Sequence, residues 1–223
     1  CDYMWLPTKL EEQIALLEQD VETGLVYSDA YRFNEKGKQK RKFETSKPYR
    51  GKIFSELLLC NFIDTQTVVI RREVFDSLDH WFDDRLIMSG DYDAYLRISY
   101  RWKVDYVDKP LAMYRVHRNS KSWRDGRKLL SVELNLVIEN LIQNICGFED
   151  KYSEGARALK RWRDVQLSLL DWENGDKMEA RKRLSIYIHD GAYYFILSLL
   201  MYLPYRYAFY PCQRMYTKNI IAS

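Results

Sequence analysis

The sequence is poor in cysteine and histidine, with four and three of them among its 223 residues. The cysteines lie far apart, and none forms a CxxC pair or a cluster with histidine, the spacing on which structural zinc sites depend. Isolated thiols are typical of proteins in a reducing compartment. The pattern argues against a structural zinc site and favours a cytoplasmic location.

The chain also has little excess of one sign of charge. Its 35 lysines and arginines nearly balance its 32 acidic residues, which leaves a net charge of +3. Such a balance gives no argument for a nucleic-acid partner. Residues 34–50 contain seven lysines and arginines and lack periodicity. They are expected to form an exposed loop or hairpin tip. The functional alternative is a surface patch that binds phosphate or nucleic acid.

A long apolar run is missing as well. The most apolar stretch, residues 192–210, is interrupted at Pro204 and Arg206, short of the roughly 20 residues that a membrane-spanning helix needs. Residues 181–223 carry a net charge of +5 and eight of the 18 tyrosines. Aromatic and basic residues beside a short apolar run are typical of a helix lying on an anionic membrane. A buried core helix with a partner-binding face fits the pattern equally well.

Residues 1–122 alternate short strands with helices, which is typical of an α/β domain. Leu10, Ile14 and Leu17 recur at helical spacing in the first helix. The predicted helices cover residues 7–19, 53–60, 73–78 and 91–101, and the predicted strands residues 24–29, 67–72 and 103–117.

After residue 122 the pattern becomes helical, with runs at residues 129–145, 155–170 and 177–188. The change predicts a domain boundary near residue 123 and an α-helical C-terminal extension over residues 123–223.

Separated motifs in the first 122 residues point to one family. The segment Asp2–Leu10 contains Trp5, Pro7 and Lys9 at alternate positions. It resembles the stretch of family 2 glycosyltransferases that contains the end of the metal-binding DxD motif, usually Asp-Asp-x-Trp-x-Pro-x-Lys-Leu. In that alignment Asp2 is the second Asp of DxD, and the first would immediately precede Cys1. Tyr3 stands where a further Asp is common.

The later landmarks follow in the family's order. Residues 90–98 are similar to the block (Glu/Gly)-Asp-Tyr-Asp-Leu-Trp-Leu-Arg, and residues 114–122 to the ending Tyr-Arg-x-His-x-x-Ser-x-Ser. Residues 24–29, 67–75 and 82–86 match weaker landmarks between them. The resemblance covers residues 1–122, a little over half of the chain.

The resemblance implies an inverting enzyme whose α/β domain is an incomplete, Rossmann-like GT-A fold. Residues 1–122 would be its acceptor-side half. A Mn²⁺ or Mg²⁺ ion would be the cofactor, because oxygen ligands such as carboxylates suit these ions. The implied site residues are the catalytic base Asp91, the metal ligands Asp2 and His117, and the substrate-binding residues Trp5, Arg115 and Ser122.

Asp91 suits its implied role because a positioned carboxylate can take the proton of an attacking hydroxyl. The structural alternative is a helix cap, which Asp commonly provides. The two roles are compatible.

The partners implied by the resemblance are a nucleotide-sugar donor and a glycan or lipid-linked acceptor, in bacterial surface polysaccharide synthesis at the inner face of the plasma membrane. The alternative is a non-catalytic relative that acts as a membrane or partner adaptor. Because the family binds its donor mainly through the half that precedes DxD, we expect residues 1–223 alone to be inactive.

Overall fold

A computed structural model describes residues 2–34, 37, 39–116 and 126–208. The chain divides into two compact units, Cys1–Arg124 and Asp125–Ser223. The first combines strands and helices, whereas the described part of the second contains helices joined by short turns. This architecture is compatible with a Rossmann-like glycosyltransferase domain followed by a helical extension.

The described residues of the first unit form a five-stranded mixed sheet. Its strands are β1 (Tyr3–Trp5), β2 (Thr23–Phe33), β3 (Gln39–Arg41), β4 (Val69–Ile70) and β5 (Lys103–Arg115). The order is β1–β5–β2–β3, and β4 also pairs with β2. Strands β2 and β5 are parallel, while the other pairs are antiparallel.

Strand β2 is the centre of this unit and confirms the buried strand predicted at residues 24–29. Every residue from Thr23 to Ala30 is buried. A Cβ on Gly24 would lie 2.7 Å from Val74 Cγ2 and 2.8 Å from Trp102 Cβ. Glycine is required there because helix and sheet approach too closely for a side chain.

The helices of the first unit are α1 (Lys9–Gln19), α2 (Phe54–Leu59), α3 (Arg72–Asp76) and α4 (Gly90–Arg101). They confirm the predicted helices within a few residues. The strand predicted at residues 67–72 is shorter, because a 3-10 turn at Thr65–Thr67 replaces its start. The Thr67 hydroxyl donates back to the Asp64 carbonyl oxygen at 2.6 Å and closes that turn.

Helix α1 buries a different face from the one its apolar residues suggest. Leu17 is buried, but Leu10 and Ile14 are 45% and 43% exposed. Gln13 lies on the inner face, where its amide donates at 2.8 Å to one carbonyl of β2 and at 2.8 Å to one of the Thr65–Thr67 turn. Pairing these buried carbonyls fixes the orientation of the helix.

The basic segment at residues 34–50 is in part a hairpin, because β2 and β3 pair antiparallel, but residues 35, 36 and 38 at its tip lie outside the described residues. The predicted exposure does not hold throughout, since Lys42 is buried. Two of the described cations pair with carboxylates of the first unit. Arg41 Nε donates to the buried Asp29 carboxylate at 2.6 Å, and Lys42 Nζ lies 2.6 Å from an Asp64 oxygen.

The second unit is built from α5 (Gly126–Asn144), α6 (Phe148–Lys151), α7 (Ser153–Glu173), α8 (Lys177–Ser185) and α9 (Ala192–Leu200). Helix α7 packs against α5 and α8. The core beneath α9 contains Trp172, which is 1% exposed, with Leu169, Leu197 and Met201. Within the described ranges, none of the helices is long and apolar enough to cross a membrane.

Candidate active site

Asp91 is the second residue of α4, and both of its carboxylate oxygens are engaged. Oδ1 accepts the backbone N–H of Tyr92 at 2.7 Å, and Oδ2 accepts the hydroxyl of Thr65. The negative charge is favourable at the N-terminal end of a helix. Asp91 therefore stabilises the first turn of α4, and its unused lone pairs leave it able to accept a further hydrogen bond.

Thr65, which the sequence did not indicate, orients the Asp91 carboxylate. The buried Tyr95, one turn further along α4, is also hydrogen-bonded to Thr65. Burial raises the pKa of the Tyr95 phenol, and the nearby Asp91 charge raises it further. The sequence could not indicate the contact between Thr65 and Asp91, because the two residues are 26 positions apart and share no motif.

Tyr3, the residue after the predicted metal ligand Asp2, lies on the exposed strand β1. Its ring is 54% exposed and stacks on Tyr114, with centroids 5.3 Å apart and planes 16° apart. Partial burial raises the pKa of the Tyr3 phenol. The neighbours that raise it further are Tyr114, Asp2, Asp64 and Asp91. Asp2, the preceding residue, and Asp91 are therefore both near enough to Tyr3 to affect its phenol electrostatically.

Trp5 lies beside the turn that carries Thr65. Its indole Nε1 donates to the Gln66 carbonyl oxygen at 3.0 Å, and its ring is 55% exposed. Trp5 therefore supports the turn and also offers an aromatic surface to a ligand.

Arg115 lies at the carboxyl end of β5. Its backbone N–H donates to the Asp2 carbonyl oxygen at 2.9 Å, and its guanidinium lies 5.5 Å from the centre of the Phe33 ring at the end of β2. Ligands of open α/β sheets bind at this edge. The other two predicted residues, His117 and Ser122, lie outside the described residues.

The described residues do not by themselves form a metal site. Among residues 2–34, 37, 39–116 and 126–208, no three His, Cys, Asp or Glu side chains are grouped so that they could hold an ion. Asp64, near Tyr3, instead pairs with Lys42 and with Arg32 at 3.2 Å. Of the two predicted metal ligands, only Asp2 is described.

Lys9 is buried against the back of Trp5. Lys9 is only 1% exposed. Its Nζ lies 4.5 Å from the centre of the Trp5 ring and donates to the Val68 carbonyl oxygen at 3.4 Å. Burial lowers the pKa of Lys9 to about 8, because a buried ammonium loses hydration that these two contacts replace only in part.

We expect this pKa to make stability rise with pH above neutrality. Between about pH 8 and the ordinary lysine pKa of 10.5, the unfolded chain binds more protons than the folded one, so the free energy of unfolding increases. From pH 7 to 9 the Lys9 contribution is about 1 kcal/mol. Urea unfolding at both pH values should show that Lys9→Met loses this increment, whereas Lys52→Met, an exposed control, keeps it. An unchanged pH dependence in Lys9→Met would contradict the assignment.

Comparison with known proteins gives one informative similarity. No protein-family model matches the chain. An uncharacterized glycosyltransferase of Methanocaldococcus jannaschii is 26% identical over 117 residues. The match covers 52% of this chain and 39% of the relative, so it spans well under two thirds of the relative's length. The chain is therefore similar, over about half of its residues, to a glycosyltransferase.

Proposed function

We propose that the protein belongs to the inverting family 2 glycosyltransferases of the GT-A fold. It would transfer a sugar from a nucleotide-sugar donor to an acceptor hydroxyl, with Asp91 as the catalytic base. The observation that carries the proposal is the Asp91 carboxylate at the start of α4, oriented by the Thr65 hydroxyl and the Tyr92 N–H. The similarity to a glycosyltransferase supports it.

The reaction is a single displacement. The acceptor oxygen attacks the anomeric carbon while its proton passes to Asp91, and the bond from that carbon to the nucleoside diphosphate breaks on the opposite face. The configuration at the anomeric carbon is inverted because the acceptor oxygen enters on the face opposite the leaving group. The base must approach the acceptor hydroxyl to about 2.6–3.2 Å, and the two hydrogen bonds to Asp91 restrict its orientation before the acceptor arrives.

The leaving diphosphate needs positive charge. A Mg²⁺ or Mn²⁺ ion held by Asp2 and His117 would neutralise it, and Arg115 and Ser122 would bind its oxygens. Trp5 would line the sugar pocket. We propose a glycan or lipid-linked acceptor and a role in bacterial surface polysaccharide synthesis on the cytoplasmic side.

A panel of nucleotide sugars tests the proposal with the full-length protein. We expect one donor to release its nucleoside diphosphate in the presence of Mn²⁺ or Mg²⁺ and to stop doing so in a chelator. No turnover with any donor, in a protein that still binds nucleotide, would favour the non-catalytic adaptor. The stacked Tyr3, at a position where a further Asp is common in the family that the segment resembles, is the observation that favours that second candidate.

Thr65→Val should show whether Thr65 orients the Asp91 carboxylate without contributing to donor binding. Valine keeps the shape but removes the hydroxyl that orients Asp91, so we expect kcat to fall about ten-fold, the value of a hydrogen bond to a charged group. The donor KM should not change. Thr65→Ser, which restores a hydroxyl, should recover most of the loss. Equal losses in the Ser and Val variants would mean that the hydroxyl has no part in the effect.

A further inference from the structure

Helix α9 has apolar residues on all sides, although the described residues cover only one side of it. Leu197 and the following Met201 are 4% and 0% exposed and belong to the core of the second unit. The other side, which we call the outer face of α9, comprises Tyr193, Phe195, Ile196 and Leu199, each 50–55% exposed. A helix face in water is normally polar, and a helix that is apolar all round is normally buried.

The outer face is continued by an exposed turn that is firmly attached to the core. Tyr202 and Leu203 are 58% and 51% exposed. The indole of Trp172 donates to the Leu203 carbonyl oxygen at 2.9 Å, and its ring packs edge-on against Tyr205 with centroids 5.2 Å apart. The apolar surface is therefore held in place by buried contacts behind it.

Basic side chains border this surface directly. The guanidinium of Arg181 lies 3.5 Å from the centre of the Tyr202 ring, and Lys177 Nζ donates to the Tyr202 carbonyl oxygen at 3.1 Å. Arg206 lies 4.9 Å from the centre of the exposed Tyr207 ring. Lys182, next to Arg181 on α8, has a 77% exposed side chain.

Acidic residues offset this charge only in part, since Glu179 lies 3.5 Å from Lys182 Nζ on the same helix. The sequence from Gly191 to Ser223 contains no Asp or Glu. The nearest acid before it, Asp190, is paired with Arg157 and Arg161 at 2.8 and 2.9 Å. An exposed apolar face with tyrosines and cations at its border matches the two layers of an anionic lipid surface, acyl chains beneath and phosphates above.

We propose that the outer face of α9 docks on an anionic membrane with the helix parallel to the surface. Ile196, Leu199 and Phe195 enter the acyl boundary, while Arg181, Lys182 and Arg206 contact lipid phosphates. The tyrosines take the interfacial level that amphipathic rings prefer. Nine residues of helix extend about 14 Å, which suits a helix lying along the surface. The proposal does not depend on sugar transfer.

Vesicle co-sedimentation of the full-length protein tests this docking. We expect binding to phosphatidylcholine vesicles that contain phosphatidylglycerol, little binding to phosphatidylcholine alone, and weaker binding as salt rises. Ile196→Ser with Leu199→Ser should reduce the partition coefficient at least ten-fold, because both side chains lose their apolar contribution. Arg181→Gln with Lys182→Gln should cost about five-fold for each charge.

The matched control is Val132→Ser with Ile142→Ser, which changes two exposed apolar residues of α5 in the same unit and should leave binding unchanged. Circular dichroism should confirm that all variants are folded. Equal binding of wild type and the Ile196/Leu199 variant would overturn the proposal. A different result would also overturn it: the wild type is a dimer in solution, the Ile196/Leu199 variant is a monomer, and both bind vesicles equally. A second copy of the chain would then be what covers the face.

Discussion

Asp91→Asn is expected to lower kcat by roughly 10²–10⁴-fold, the usual contribution of a positioned general base. The amide oxygen can still accept the Tyr92 N–H, and the amide NH2 can donate to the Thr65 hydroxyl oxygen, so the first turn of α4 should persist. What is lost is the ability to take a proton. The measurement is steady-state release of nucleoside diphosphate by the full-length protein, with donor affinity measured separately by calorimetry.

The matched control for that experiment is Asp76→Asn. Asp76 is an exposed carboxylate on α3 that pairs with Arg72 at 3.6 Å, and its loss should change neither turnover nor donor affinity. Near-normal kcat in Asp91→Asn would show that Asp91 serves only the helix. A loss of donor affinity that accounts for the whole effect would also contradict the base assignment.

Trp172→Ala is expected to lower the free energy of unfolding of the second unit by about 3–5 kcal/mol, as large-to-small changes of buried aromatic residues do. The ring is 1% exposed and fills the core between α7, α8 and α9. Removing it also leaves the Leu203 carbonyl without its indole donor. Hydrogen exchange of amides in α7 and α9 can report on this unit specifically.

Trp172→Phe separates the two contributions. Phenylalanine keeps most of the packing but has no N–H, so it should cost about 0.5–1.5 kcal/mol, the net contribution of one hydrogen bond. If Trp172→Ala left exchange in α7 and α9 unchanged, the core described for the second unit would be wrong.

The elements of the first unit were predictable where local pattern and burial agree. The run from Leu25 to Tyr27 is apolar and fully buried, so a central strand could be expected from composition alone. Asp91 and Asp93 in the first turn of α4 also follow the helix dipole. These signals lie within short segments, and no distant contact is needed to interpret them.

The buried face of α1 could not be predicted in this way. Apolar periodicity points to Leu10 and Ile14, but the inner face contains Lys9 and Gln13. These two side chains donate to carbonyls of Val68, of β2 and of the Thr65–Thr67 turn. A preference that depends on distant backbone groups leaves no trace in the spacing of α1.

The candidate site was predictable in part for the same reason. Motif resemblance indicated Asp2, Trp5, Asp91 and Arg115, each within a short conspicuous segment. Thr65 contacts Asp91 from a turn with no motif of its own. The predicted roles of these residues, and those of His117 and Ser122, stay predictions.

The parallel pairing of β2 with β5 has a consequence for how the chain reaches its folded state. Thr23 lies opposite Lys103, so about 80 residues must be brought into a closed loop before the two strands meet. Contacts at such separation form slowly compared with neighbouring helices. During synthesis, the apolar strand β2 emerges long before its partner, and its free edge is open to wrong pairing until β5 follows. The short hairpin with β3 can form early, but β3 pairs with the other edge of β2, so the edge that β5 fills stays open in the meantime.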